Sequence, residues 1–138
     1  MPRPAREKIL FLLPLVIAAG FGFKLYEGPG SGWANSYGAG VVYEIFWIYL
    51  IFFFMPETRW AARISLTVFA LTCALEFLQL WHPRILEDVR STFAGRTLIG
   101  STFSWADFPH YAAGCLIGYV SLKMIAKKSF NDSERVLS

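Results

Sequence analysis

Charge is scarce in this chain. Asp, Glu, Lys and Arg make up 17% of its 138 residues, against the roughly 25% usual for soluble domains. That shortage argues against an ordinary solvated surface. Cysteine is rarer still: Cys73 and Cys115 lie within apolar segments and lack metal-type spacing. Both read as small buried thiols. Counting from helix ends puts them at similar depth, and a disulfide between them would need direct evidence.

Apolar residues are plentiful, at 55% of the chain with 17% aromatic and a mean hydropathy of +0.43. They come in blocks near the roughly 20 residues that a bilayer-spanning helix needs. The net charge of +3 raises the question of nucleic acid. The basic residues flank the apolar blocks, however, which is the pattern of membrane topology, and no nucleic-acid partner is expected.

The blocks predict an all-α membrane protein with four spans, at about residues 9–26, 40–55, 61–81 and 107–125. Together they form one domain over residues 1–128. Pro14 interrupts the first, and membrane helices tolerate such a proline. Phe21 and Phe23 are poor neighbours for signal-peptide cleavage, so the first block reads as a retained span. The glycine-rich stretch from Gly28 to Gly40 reads as a loop. Residues 129–138 read as a flexible tail.

Lys and Arg divide unevenly, nine against four, between the two sides that these spans define. Arg3, Arg6, Lys8, Arg59, Arg63, Lys123, Lys127, Lys128 and Arg135 share a side; Lys24, Arg84, Arg90 and Arg96 share the other. The positive-inside rule then places both termini in the cytoplasm and both long loops outside.

This orientation gathers the polar residues. Glu44 falls roughly 6 Å below the outer end of the second span and Glu76 roughly 9 Å below that of the third, at about 1.5 Å per residue. Gln79 lies one turn above Glu76 on the same face, and Asp107, His110 and Tyr111 open the fourth span. Intramembrane carboxylates are costly and mark functional sites by default. Gly114 and Gly118 continue the polar face of the fourth span as a small-x-x-x-small seam. Glu44, Glu76 and Asp107 are therefore candidate acid–base groups. Gln79, Arg90, Arg96, Trp105, His110 and Tyr111 are candidate binding groups.

Blander readings stay open beside these. Asp107 fits an N-cap, or a capping box with Ser104. Glu76 and Gln79 fit structural hydrogen bonding between helices. Glu44 can pair with Arg90 or Arg96, and those arginines can equally hold an anionic headgroup. Trp33, Tyr37, Trp81 and Trp105 fit interface anchors. The stretch Thr97 to Trp105 is too short to span and too apolar for an exposed loop, which predicts a re-entrant or interfacial segment between helices 3 and 4. Glu44, Glu76, Asp107 and His110 carry ligating atoms without a local spacing motif, so no metal is assigned. Ser101 and His110 lack the setting of a Ser/His protease.

Glu76-F-L-Gln79, the L-E-x-x-R run of Leu86, Glu87 and Arg90, and T-x-x-G-x-x-L-x-G-x-x-F-x-W-x-D from Thr92 to Asp107 resemble a bacterial membrane family, domain of unknown function 2809. Tyr111 and Gly114 extend the likeness. Y-E-I-F-W from Tyr43 and D-F-P-x-Y from Asp107 look most like cyanobacterial-type members. The order of Glu76, Gln79, Arg90, Asp107, Gly114 and Gly118 is more loosely similar to VanZ-like proteins. The resemblance implies a multi-pass protein of the bacterial inner membrane and no established activity; no cofactor is named. Two functions are open: an outer-leaflet polar pocket that binds a lipid or amphiphile, and a non-enzymatic small subunit or assembly factor that packs against other membrane proteins.

Overall fold

A computed structural model describes residues 3–100 and 103–138, and every one of its regular elements is helical. Ser101, considered above beside His110, lies outside the described residues. The first helix, α1, runs Arg3–Leu25. The second, α2, is continuous over Ser31–Phe54, and the third, α3, over Thr58–Leu78. These three are long and apolar enough to cross a membrane. Their outward faces stay apolar as well, with Phe11 76% and Leu66 64% exposed. Such a surface belongs to a membrane protein, because soluble monomers rarely expose large contiguous apolar patches.

Two short helices follow, α4 (Arg84–Arg90) and α5 (Phe93–Ile99), and then the long α6 (Asp107–Leu137). Proline and glycine set several boundaries. Met55 precedes Pro56, and the residue before a proline is biased out of helical conformation, so α2 ends there. At the far end of α5, Gly100 takes φ +83°, a left-handed value suited to glycine.

The glycine-rich stretch read as a loop is only partly one. Helix resumes at Ser31, and Ala34–Gly38 forms a π-helical turn inside α2. Asn35 explains the early start. Its Nδ2 donates to the carbonyls of Phe23 (2.5 Å), Lys24 (3.1 Å) and Tyr26 (3.0 Å), so it caps the end of α1.

The tail also departs from expectation. Residues 129–137 continue α6 instead of fraying. Gly114, Gly118, Leu122, Ala126 and Ser129 are all buried and follow helical spacing along one seam. That seam outlasts the drop in hydropathy, and Lys8 pairs with Asp132 at 3.1 Å beside it.

Helix α2 sits centrally, packed against α1, α3 and α6. Its two halves meet different surroundings. Toward its C-terminal end, Ile48 and Phe52 join Ile9, Leu13, Ile64, Val68 and Leu122 in an apolar core. Toward its N-terminal end, beside the buried Ala34 and Ala39, buried polar residues gather: Glu44 there, with Thr72 and Glu76 from α3 and Gln79 just past its end. One end of the bundle is a packed core, and the other holds the carboxyl groups.

Candidate functional site

Glu44 is fully buried. Its Cβ lies against Gly114, where an added methyl carbon would sit 2.7 Å away, so the glycine seam lets α6 approach at this level. Thr72 donates its hydroxyl to Glu44 Oε1. The Thr72 hydroxyl also lies 3.0 Å from the Val68 carbonyl and 2.9 Å from the Phe69 carbonyl of its own helix. Glu44 Oε2 has no partner among the described residues. The pairing of Glu44 with Arg90 or Arg96 is therefore not formed.

Glu76, also fully buried, is a hub of acceptance. Ser104 N–H reaches Oε1 at 2.7 Å. Oε2 accepts from the Tyr111 hydroxyl at 3.1 Å and from Gln79 Nε2 at 3.2 Å. The same Gln79 Nε2 donates to the Ile99 carbonyl at 3.2 Å. Two acceptors around one amide nitrogen fix its orientation, because a flipped amide would set oxygen against oxygen. Gln79 Oε1 is then left buried and unpartnered. Gly100 makes this approach possible: a Cβ there would lie 2.2 Å from Gln79 Nε2.

Asp107 lies beside Glu76 at the start of α6. It is not the N-cap. Ala106 occupies that position, no side chain caps the helix, and the Ser104 amide that a capping box would organise is bound to Glu76.

The two candidate arginines separate. Arg90 is buried and committed to structure, donating to Leu78 O (3.0 Å), Trp81 O (2.9 Å) and Glu87 Oε1 (2.7 Å). It closes the carbonyl end of α3, as a cation at a helix C-terminus does well. Hydrogen bonds from His82 and then Arg90 hold the Glu87 carboxyl below its usual range. Arg96 is exposed, and among the described residues its guanidinium reaches only the Ser91 carbonyl, at 3.3 Å.

Trp105 and His110 do not join the carboxyl groups. Trp105 is 70% exposed and packs in an aromatic cluster with Phe77, Phe103 and Phe108. His110 bonds Ala106 O and accepts from Trp33 Nε1 at 3.1 Å. Tyr37 stacks on it with ring centroids 4.6 Å apart.

A cavity of about 500 Å³ opens beside the polar end. Val16, Ile17 and Phe21 of α1, with Val42 and Phe46 of α2, form an apolar wall. Thr72, Gln79, Asp107 and Tyr111 form a polar wall, with Lys24 and Arg96 also on the lining. Thr72 and Gln79 are buried while Lys24 and Arg96 are exposed, so the cations stand at the mouth. The α5 backbone through Gly100 covers one side, held by Gln79 and by the Tyr43 hydroxyl on Leu98 O at 2.7 Å.

The family model for Protein of unknown function (DUF2809) matches residues 30–115. The chain belongs to this family. The match takes in Asn35, Glu44, Thr72, Glu76, Gln79, Arg96, Asp107 and Tyr111, whereas α1 lies outside it. No curated protein and no solved structure matches the chain.

Lys24, Asn35 and Thr72 were missed as site residues by reasoning from sequence. Thr72 had a usable signal, standing one turn from Glu76 on the same face. Lys24 counted only toward topology, and Asn35 sat in a stretch read as loop.

Proposed function

We propose that this DUF2809 member is a four-span protein of the bacterial inner membrane whose cavity binds an amphiphile. The observation that carries the proposal is the division of one cavity into an apolar wall from α1 and α2 and a polar wall from α3 and α6. Pockets with mostly apolar linings and a few fixed polar groups suit ligands of that kind.

In this reading the apolar part of α6 is the fourth span and both termini are cytoplasmic, supported by the nine-to-four partition of Lys and Arg. Helices α4 and α5 then lie outside, as an interfacial segment over the cavity mouth, with Trp105 among its aromatic anchors. The order of Glu76, Gln79, Arg90, Asp107, Gly114 and Gly118 supports a distant kinship with VanZ-like proteins.

Binding fits the geometry better than acid–base chemistry. Glu76 already accepts three hydrogen bonds, and Glu44 is sealed behind the wall. Of the three candidate carboxyl groups, only Asp107 faces the cavity.

A blocking substitution tests this. Gly20 lines the cavity opposite Val42, with its ideal Cβ 3.5 Å from Val42 Cγ1. Gly20→Trp fills the apolar side, and Gly20→Leu does so more gently. Wild-type protein washed extensively in detergent is expected to retain about one amphiphile per chain by mass spectrometry, and the folded variants several-fold less. Equal retention by wild type and both variants would refute the cavity as the binding site.

A further inference from the structure

Three features of the cavity specify the chemistry of a head group. The first is the pair of exposed cations, Lys24 and Arg96, on a common lining. A lysine in the last turn of a helix commonly serves the helix's own carbonyls. Here the two hydrogens of the Asn35 amide, shared among three carbonyls, make that cap. Lys24 makes no ion pair among the described residues.

The second feature is the contrast between the arginines. Arg90 has its acceptors inside the fold, whereas Arg96 has one long bond to a carbonyl. Its planar guanidinium suits a phosphate bidentately.

The third is Asp107, a half-buried carboxyl on the polar wall beside Glu76, which can hydrogen-bond a hydroxyl. The exposed cations thus stand at the mouth, with this hydrogen-bonding group further in.

We infer that the cavity takes an amphiphile whose head joins a phosphate-type anion, held by Lys24 and Arg96, to a hydroxyl-bearing group that bonds Asp107. A glycerophosphate head has this chemistry. Its acyl chains then run along Val16, Ile17 and Phe46. The inference rests on the amphiphile-binding reading and adds the class of head group to it.

Native mass spectrometry of the full chain in neutral detergent provides the test, with four dioleoyl probes. Phosphatidylglycerol carries the anion and the hydroxyls, and phosphatidylethanol carries the anion alone. Phosphatidylcholine masks the anion with a cation, and diacylglycerol has no phosphate. Phosphatidylglycerol is expected to bind about tenfold tighter than phosphatidylcholine, with phosphatidylethanol between them. Lys24→Gln and Arg96→Gln, both at exposed positions, should each remove most of that preference and leave diacylglycerol binding unchanged.

Equal affinity for phosphatidylglycerol and phosphatidylcholine, both lost in Gly20→Trp, would overturn the head-group inference while the amphiphile reading stands. Equal affinity for phosphatidylglycerol and phosphatidylethanol would overturn its hydroxyl half. Complete displacement of phosphatidylglycerol by millimolar inorganic phosphate would show a free-anion site and overturn the lipid as occupant. Binding of every probe unaffected by Gly20→Trp would sink both readings together.

Discussion

Glu76→Leu is expected to destabilise the protein by about 3–5 kcal/mol, the cost of leaving three donors without their acceptor at about 1–3 kcal/mol each. The Ser104 amide, the Tyr111 hydroxyl and Gln79 Nε2 all lose an acceptor at once. Glu76 also connects three parts of the chain: its own helix, the segment after α5, and the start of α6. Its loss should loosen the cover of the cavity before the bundle unfolds. Glu76→Gln keeps one carbonyl oxygen but turns an amide group toward a donor, and should cost less, about 1–3 kcal/mol. Reversible unfolding in mixed micelles gives the stabilities, and limited proteolysis near Gly100 reports the cover. Wild-type stability in Glu76→Leu would show that this tie is not made.

The second large effect concerns the glycine seam. At Gly114 an added Cβ would meet Glu44 Cβ at 2.7 Å and the Val41 carbonyl oxygen at 2.8 Å. A backbone oxygen cannot rotate away, so α6 must move off α2. Overpacking of that kind costs about 2–3 kcal/mol. At Gly118 the nearest atom is Ile48 Cδ1, at 2.7 Å. That atom ends a flexible side chain, and Gly118→Ala should cost less than about 1 kcal/mol. The two alanine variants are identical in chemistry and one turn apart, so their difference reads the local geometry directly. Equal unfolding midpoints would mean that the helices are not in close contact at Gly114.

Much of this architecture was legible because membrane spans declare themselves by length and composition. Three of the four apolar blocks appeared as helices α1 to α3, ending near their expected bounds, with the first two starting earlier than expected. The spacing of Glu76 with Gln79, and of Gly114 with Gly118, placed each pair on a buried face. What could not be read depended on contacts distant in sequence. Arg90 and Arg96 look alike in the chain, yet one closes α3 and the other stays exposed, because only Arg90 lies within reach of Leu78 and Trp81 carbonyls. Asp107 carries a strong capping signal that lost to Glu76, since Glu76 took the Ser104 amide. The tail and the glycine-rich stretch failed for a different reason. Hydropathy fell in both, while helical spacing at Leu122, Ala126 and Ser129, and the cap from Asn35, kept the backbone helical.

In this reading the polar end of the bundle holds an amphiphile. A crystal structure of the full chain grown from a lipidic mesophase tests it most directly. Elongated density is expected between α1 and α2, along Val16 and Phe46, ending in a compact head beside Lys24 and Arg96. A cavity closed by its own side chains, with lipid density only on the outer faces, would contradict it.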